Sequence, residues 1–202
     1  MSDKTEYCDE FSLERILRAY VSHGYKIFDK EHDLNIFGIR SPDMTSNTFN
    51  DVVGVFYKSE GEWKIFKTAG TTDAGLYYRE NPMNVSGTAI IAPGQHVGVW
   101  RLGKHQGKYD ALVQYKPILL YRDADRTNAL EYKGEPKAEM AGINFHRANA
   151  NTTSKQVDKW SAGCVVVADP SAFQFILDLA RKQAQTTDDS FTFTLFEANE
   201  IV

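Results

Sequence analysis

Two side chains in the segment 142–167 have the chemistry of a nucleophile and its base. His146 ends a short, mostly apolar run from Gly142 to Phe145. Cys164 follows Ser161-Ala162-Gly163 and leads directly into Val165-Val166-Val167. A thiolate is the attacking form of cysteine, and a neighbouring imidazole is the usual means of making one near neutral pH. Ala162 and Gly163 allow a tight turn in which the amides of Gly163 and Cys164 converge on the oxygen of a carbonyl under attack, as an oxyanion hole requires. A lone cysteine heading a valine-rich strand reads as a small buried hydrophobe. The Ser-Ala-Gly context and a histidine at this spacing favour a catalytic thiol instead.

The same residues resemble the active-site signature of the L,D-transpeptidase catalytic domain, in which a histidine is followed after a polar loop by Ser-x-Gly-Cys. The resemblance implies an enzyme that works on peptidoglycan stem peptides, forming a thioester through the cysteine and passing the acyl group to an amine or to water. It implies Cys164 as nucleophile, His146 as base, Ser161 as a loop residue near the thiol, and the turn amides, Gly163 included, as oxyanion donors. It also implies that the backbone carbonyl of Arg147 orients the imidazole. The chain departs from the family pattern at two places: Arg147 stands where glycine commonly follows the histidine, and Val166 stands where Arg or Asn commonly lies two places after the cysteine. The stretch Thr88 to Val99 loosely resembles the family's Thr-Pro-x-Gly-x-Phe strand start. The likeness is specific over 142–167 and weak elsewhere.

Around this pair several residues have two readings. Trp160 either stacks on a sugar or peptide at a cleft rim or anchors its loop, and the anchor reading is preferred. Asp158 is either a third member orienting His146 or an exposed loop carboxylate, the commoner fate. Arg147 either binds a substrate carboxylate bidentately or is solvated. Tyr77, Tyr78 and Arg79 either wall a substrate groove or form an aromatic core patch, the second being preferred; Tyr78, Arg79 and Trp160 are the candidates for substrate binding. His23, His32, His96 and His105 lack the spacing of metal ligands, so neither a metal nor another cofactor is expected. The segment Gly103 to Tyr109 reads as a hairpin turn rather than a phosphate loop.

The elements that must position these residues are mainly β. Apolar residues at Phe11, Leu13, Ile16, Leu17, Tyr20 and Val21 predict a helix ending at Gly24. Short strands are predicted over Tyr25 to Phe28 and Asp33 to Ile39, then a hairpin from Val52 to Lys58 and Glu62 to Lys67 around Ser59-Glu60-Gly61. Thr68 to Ser86 reads as an irregular loop. Strands follow over 88–91, 96–102, 111–115 and 117–121, with glycine turns at Gly94 and from Gly103 to Gly107. Ile143 to Phe145 should deliver His146, and Cys164 to Val167 should receive the cysteine. Asp169-Pro170 predicts the cap and first residue of a helix to about Gln185. Phe191 to Phe196 alternates as a half-buried strand. The expected fold is a mainly β, L,D-transpeptidase-like sandwich or barrel with one N-terminal helix and one helix after the cysteine strand.

A chain of 202 residues fits one domain, with 1–24 as its N-terminal tail and helix. A net charge of -4 leaves no basic excess to neutralise phosphates, which argues against nucleic acid as a partner. Cys8, in a polar tail, reads as a free thiol. The opening lacks the pattern of a signal peptide, and no window approaches a membrane span, so the chain reads as made in the cytosol and brought to the wall by another route. The expected activity is cysteine-dependent acyl transfer on peptidoglycan peptides, more hydrolytic than cross-linking. The alternatives are a cross-linking transpeptidase and a non-catalytic wall-binding or virion module with a degenerate site. Oligomeric state is left open.

Overall fold

A computed structural model describes residues 10–201; Cys8 lies outside them. The chain opens with α1 (Leu13–Ser22), whose N-cap Ser12 accepts from the Arg15 amide, and Gly24 follows its end at φ 67°. The strands come in chain order as β1 (Asn35–Arg40), β2 (Asp51–Ser59), β3 (Glu62–Thr71), β4 (Thr88–Ile91), β5 (Gly94–His105), β6 (Tyr109–Gln114), β7 (Ile118–Asp123), β8 (Lys137–Glu139), β9 (Phe145–Arg147), β10 (Val165–Val167) and β11 (Phe191–Glu197). Two more helices interrupt them: the short α2 (Leu76–Glu80) and the long α3 (Pro170–Thr186).

The β2–β3 hairpin shows how locally the sequence sets this architecture. Ser59 pairs with Glu62, and the intervening Glu60 and Gly61 both have positive φ, 58° and 75°. That is a two-residue turn whose twist matches the flanking strands. The carboxylate of Glu31 accepts from both turn amides, which holds the tip.

Eight strands close into a barrel in the order β1-β11-β5-β6-β9-β10-β3-β2, and β4, β7 and β8 form a separate small sheet. Closure removes exposed edges from the barrel strands. Two pairings are parallel, β1 with β11 and β9 with β10; the other barrel pairings are antiparallel. The main core holds Ile36, Val55, Trp100, Phe145, Val165, Val167 and Phe193 from the barrel, Ala89, Ile91, Ile118 and Leu120 from the small sheet, and Phe173, Ile176, Leu177 and Ala180 from α3. Helix α1 covers the other face of β1, β2 and β11, burying Ile16 and Tyr20 against Phe37, Ile39, Val52, Phe56 and Phe196. No helix among the described residues is long and apolar enough to cross a membrane.

The mainly β expectation, the helix after the cysteine with its Asp169 cap, and the hairpin agree with this architecture. Several details differ. Tyr25 to Phe28 forms no strand, because its polar pairing goes to side chains: Phe28 exchanges two hydrogen bonds with the Asn35 amide group. Gly94 and Gly103 lie within β5, and the turn is confined to Gln106-Gly107-Lys108. The segment read as an irregular loop contains the end of β3 and all of α2, and β8 was not foreseen in its polar surroundings. Strand β11 is buried from Phe191 to Phe196 on both faces, since even Thr192 and Thr194 are enclosed between barrel elements.

Candidate active site

Strands β9 and β10 lie side by side and parallel, with Val166 in register with His146. In-register residues of a parallel pair face the same side, as do residues two apart along a strand. Asn144, His146 and Ala148 therefore share a face with Cys164, Val166 and Ala168. The alternate residues Phe145, Val165 and Val167 point into the main core, and the Cys164 face carries its own small cluster of Phe49, Ala148, Val157, Val166 and Ala168. Nucleophile and base candidates are thus diagonal neighbours on the side of the strand pair turned away from the main core.

The imidazole of His146 is fixed by one nitrogen. Its Nδ1 lies 2.8 Å from the carbonyl oxygen of Arg147, which can only accept, so Nδ1 carries the proton and Nε2 is left as the basic atom. The hydroxyl of Tyr109 donates to the same carbonyl at 3.1 Å and lies 3.1 Å from Nδ1. One ring face is covered by His105, stacked with centroids 3.9 Å apart and planes at 24°. Burial drives the His146 imidazole down to about 3, and a positive charge on His105, were that ring protonated, would act in the same direction. The ring is neutral throughout the physiological range.

Cys164 is 9% exposed. Its Sγ accepts from the Asn144 amide at 3.4 Å and donates to the Gly142 carbonyl at 3.5 Å; no hydrogen bond joins it to His146. Burial pushes the thiol up to about 11, against the opposing effect of the Asn144 amide. The resting pair is therefore thiol and neutral imidazole, not the thiolate expected from the proximity of a histidine. Such a pair can work only by general-base transfer of the proton as the sulfur attacks.

The turn before the cysteine is held by Ser161, which is wholly buried. Its hydroxyl donates to the Cys164 carbonyl at 2.8 Å and accepts from the Gly163 amide at 3.1 Å, while its own carbonyl accepts from Gly75 at 2.9 Å. Ser161 is a staple of the turn, out of reach of substrate. The Gly163 amide is likewise occupied, which removes it from the expected oxyanion pair. Among the described residues no acceptor pairs with the Cys164 amide, which leaves that donor for an oxyanion. Gly163 has φ 122°, and a Cβ there would lie 2.9 Å from both the Cβ and the carbonyl oxygen of Ala89. Only glycine fits between the turn and β4.

A cleft of about 270 Å³ runs beside this turn, lined by Tyr78, Met83, Ala89, Arg122, Met140 and Ala162 among others. Tyr78 thus borders the approach to the cysteine turn. Arg79 does not: it is 3% exposed, and its guanidinium donates to the carbonyls of Ala74 at 2.7 Å, Met44 at 2.5 Å and Asn128 at 2.6 Å. With its donors turned inward onto backbone, it is a structural clamp and not a substrate contact. Trp160 is 41% exposed and does not line the cleft. Asp158 accepts from the Asn47 side chain at 2.6 Å, so it ties its loop to the one between β1 and β2 and does not orient His146. The Arg147 guanidinium lies 4.1 Å over the Tyr109 ring, and Val166 is fully buried, so it offers nothing to a substrate carboxylate.

Two neighbours of the pair escape a linear reading, and a third does not. Tyr109 and His105 face each other across the β5–β6 hairpin, and only the fold brings them to His146. Asn144 had a local signal, since it lies two residues before His146 and so on the same strand face. It bonds the sulfur through its amide, His105 through its side-chain nitrogen at 3.1 Å, and Gln114 through its side-chain oxygen at 2.9 Å. Together these residues form a basic nitrogen with a fixed tautomer, a neighbouring thiol and one unpaired amide, a set suited to attack on a carbonyl. No family model, curated protein or solved structure matches the chain.

Proposed function

We propose that the protein is a cysteine-dependent acyl-transfer enzyme acting on peptidoglycan stem peptides, with water as the final acceptor. The observation that carries this reading is the lock between His146 Nδ1 and the Arg147 carbonyl, which leaves Nε2 basic on the strand face that Cys164 shares. As Sγ attacks the peptide carbonyl carbon, Nε2 takes the thiol proton, and the carbonyl oxygen becomes an oxyanion facing the Cys164 amide. The imidazolium then gives its proton to the leaving amine and a thioester remains. Water attacks the thioester with its proton passing to Nε2, and the sulfur leaves and recovers that proton. The substrate class rests on the Ser161-to-Cys164 resemblance, and a cross-linking transpeptidase would differ only in an amine replacing water at the last step.

A specific observation favours a second reading. The resting sulfur is nearly enclosed, its pKa is raised, and it has no hydrogen bond to the histidine, as in a binding module that keeps a degenerate site. Incubation of purified peptidoglycan with the native protein and with Cys164→Ala separates the two. New muropeptide masses with the native protein alone support the enzyme, and new cross-links identify the transpeptidase. Unchanged masses across wall chemistries overturn catalysis in favour of the binding module.

A further inference from the structure

The stacked ring of His105 has no part in the reaction just described, yet its polar contacts point to one. Asn144 Oδ1 accepts from the Gln114 amide at 2.9 Å, which turns the other end of that side chain, Nδ2, toward His105 Nδ1 at 3.1 Å. Nδ2 can only donate, so His105 Nδ1 must carry a lone pair and the ring proton sits on Nε2. Protonation of His105 would set N–H against N–H at that contact. It would also place two cations face to face at 3.9 Å once His146 took a proton. The same Asn144 sends its amide to the Cys164 sulfur, so one residue ties the second histidine to the nucleophile. The other charged or titratable groups around His105 are Tyr109, whose ring centroid is 5.5 Å away, Lys108, and Arg147 across the Tyr109 ring.

We propose that His105 is a positioning residue for the dyad: held neutral by Asn144, it lies flat on His146, keeps Nε2 of that ring turned to the thiol face, and offers its π face to the imidazolium formed as the thiol proton is transferred. A cation in contact with an aromatic face is stabilised, more so where water is excluded. The half-buried setting of His105 and the charge of Lys108 hold its own basicity below the usual histidine range, which agrees with a neutral ring. The proposal rests on the reading of Cys164 and His146 as nucleophile and base.

Its test uses the full chain and two substitutions. His105→Ala removes the stack, and His105→Phe restores a flat face without nitrogens. On soluble muropeptides, His105→Ala is expected to lower kcat by about tenfold, the scale of a desolvated cation–aromatic contact, with KM nearly unchanged. His105→Phe is expected to recover most of that loss. In nitrogen-correlated NMR spectra of the imidazoles, native His146 should appear as the single Nδ1–H tautomer, and His105→Ala should mix its tautomers. Native turnover retained in His105→Ala, with Cys164→Ala inactive, overturns the role of His105 alone. Activity that survives in Cys164→Ala, or none in the native protein, defeats the underlying dyad. In that case the NMR arm still decides, because an unaltered His146 tautomer in His105→Ala overturns the positioning role.

Discussion

The backbone amide of Asn144 points at the sulfur of Cys164 across 3.4 Å, placing a fixed partial positive charge beside a buried thiol. A thiolate would be stabilised by that amide, but enclosure costs it more, and the net effect is a thiol raised to about 11. At pH 7 roughly one molecule in ten thousand would carry a thiolate. The rate of iodoacetamide labelling at Cys164 should therefore keep rising through pH 9. A plateau reached by pH 8 would show that the resting pair is ionised after all.

Gly163→Ala should disable the turn. The substitution meets both a left-handed φ and the Ala89 carbonyl, and a carbonyl on β4 cannot rotate away as a side-chain tip can. A loss of about 1–3 kcal/mol in stability is expected, with activity falling further because the Cys164 amide moves with the turn. Thermal melting paired with muropeptide digestion measures both. Adding Ala89→Gly should rescue little, since the carbonyl remains.

Arg79→Met should behave as a stability mutation. Three backbone carbonyls lose their charged donor, a cost on the order of 3 kcal/mol, while the surviving folded protein keeps its substrate affinity. Urea unfolding gives the first quantity and KM the second. A raised KM at unchanged stability would return Arg79 to the substrate groove.

Asp51 supplies a pH signature of the fold. Its carboxylate is buried where β2 begins and β1 and β3 end, accepting from the amides of Ser41 at 2.8 Å and Thr72 at 2.6 Å. Arg40, also fully buried, lies in the same cluster; its Nε is 3.0 Å from Asp73 Oδ1, although its N–H is directed to Thr72 Oγ1. Burial, and then the charge of Asp73, raise Asp51 from 3.8 to about 7. A carboxyl group raised on folding contributes stability that is complete below its unfolded value and is lost as pH rises through its folded value. Relative to Asp51→Asn, the native protein should lose stability between pH 4 and 7, with a slope of at most about 1.4 kcal/mol per pH unit. Parallel denaturation curves of the two proteins across that range would exclude a titrating Asp51.

The sequence made legible whatever was local. Alternation and turn residues marked the β2–β3 hairpin, Asp169-Pro170 marked the start of α3, and Ser161 to Cys164 marked the turn. The contact between His146 and the Arg147 carbonyl is one residue long, so position alone could suggest it. Long-range effects were hidden. Nothing in the neighbourhood of Arg79 says that its three acceptors come from 35 positions upstream, 49 downstream and its own loop. The charge state of Cys164 depends on enclosure by distant chain, which reversed the expected sign of its pKa. Strand β11 looked half-buried by alternation because its threonines are polar, yet barrel closure covers both faces. His105 and Tyr109 became neighbours of His146 only through the β5–β6 pairing.

The contact between Gly163 and Ala89 makes the small sheet an anvil for the cysteine turn, although that sheet lies outside the barrel that carries His146 and the strand following Cys164. Pulling β4 outward would therefore slacken the turn that presents Cys164 while the barrel stayed whole.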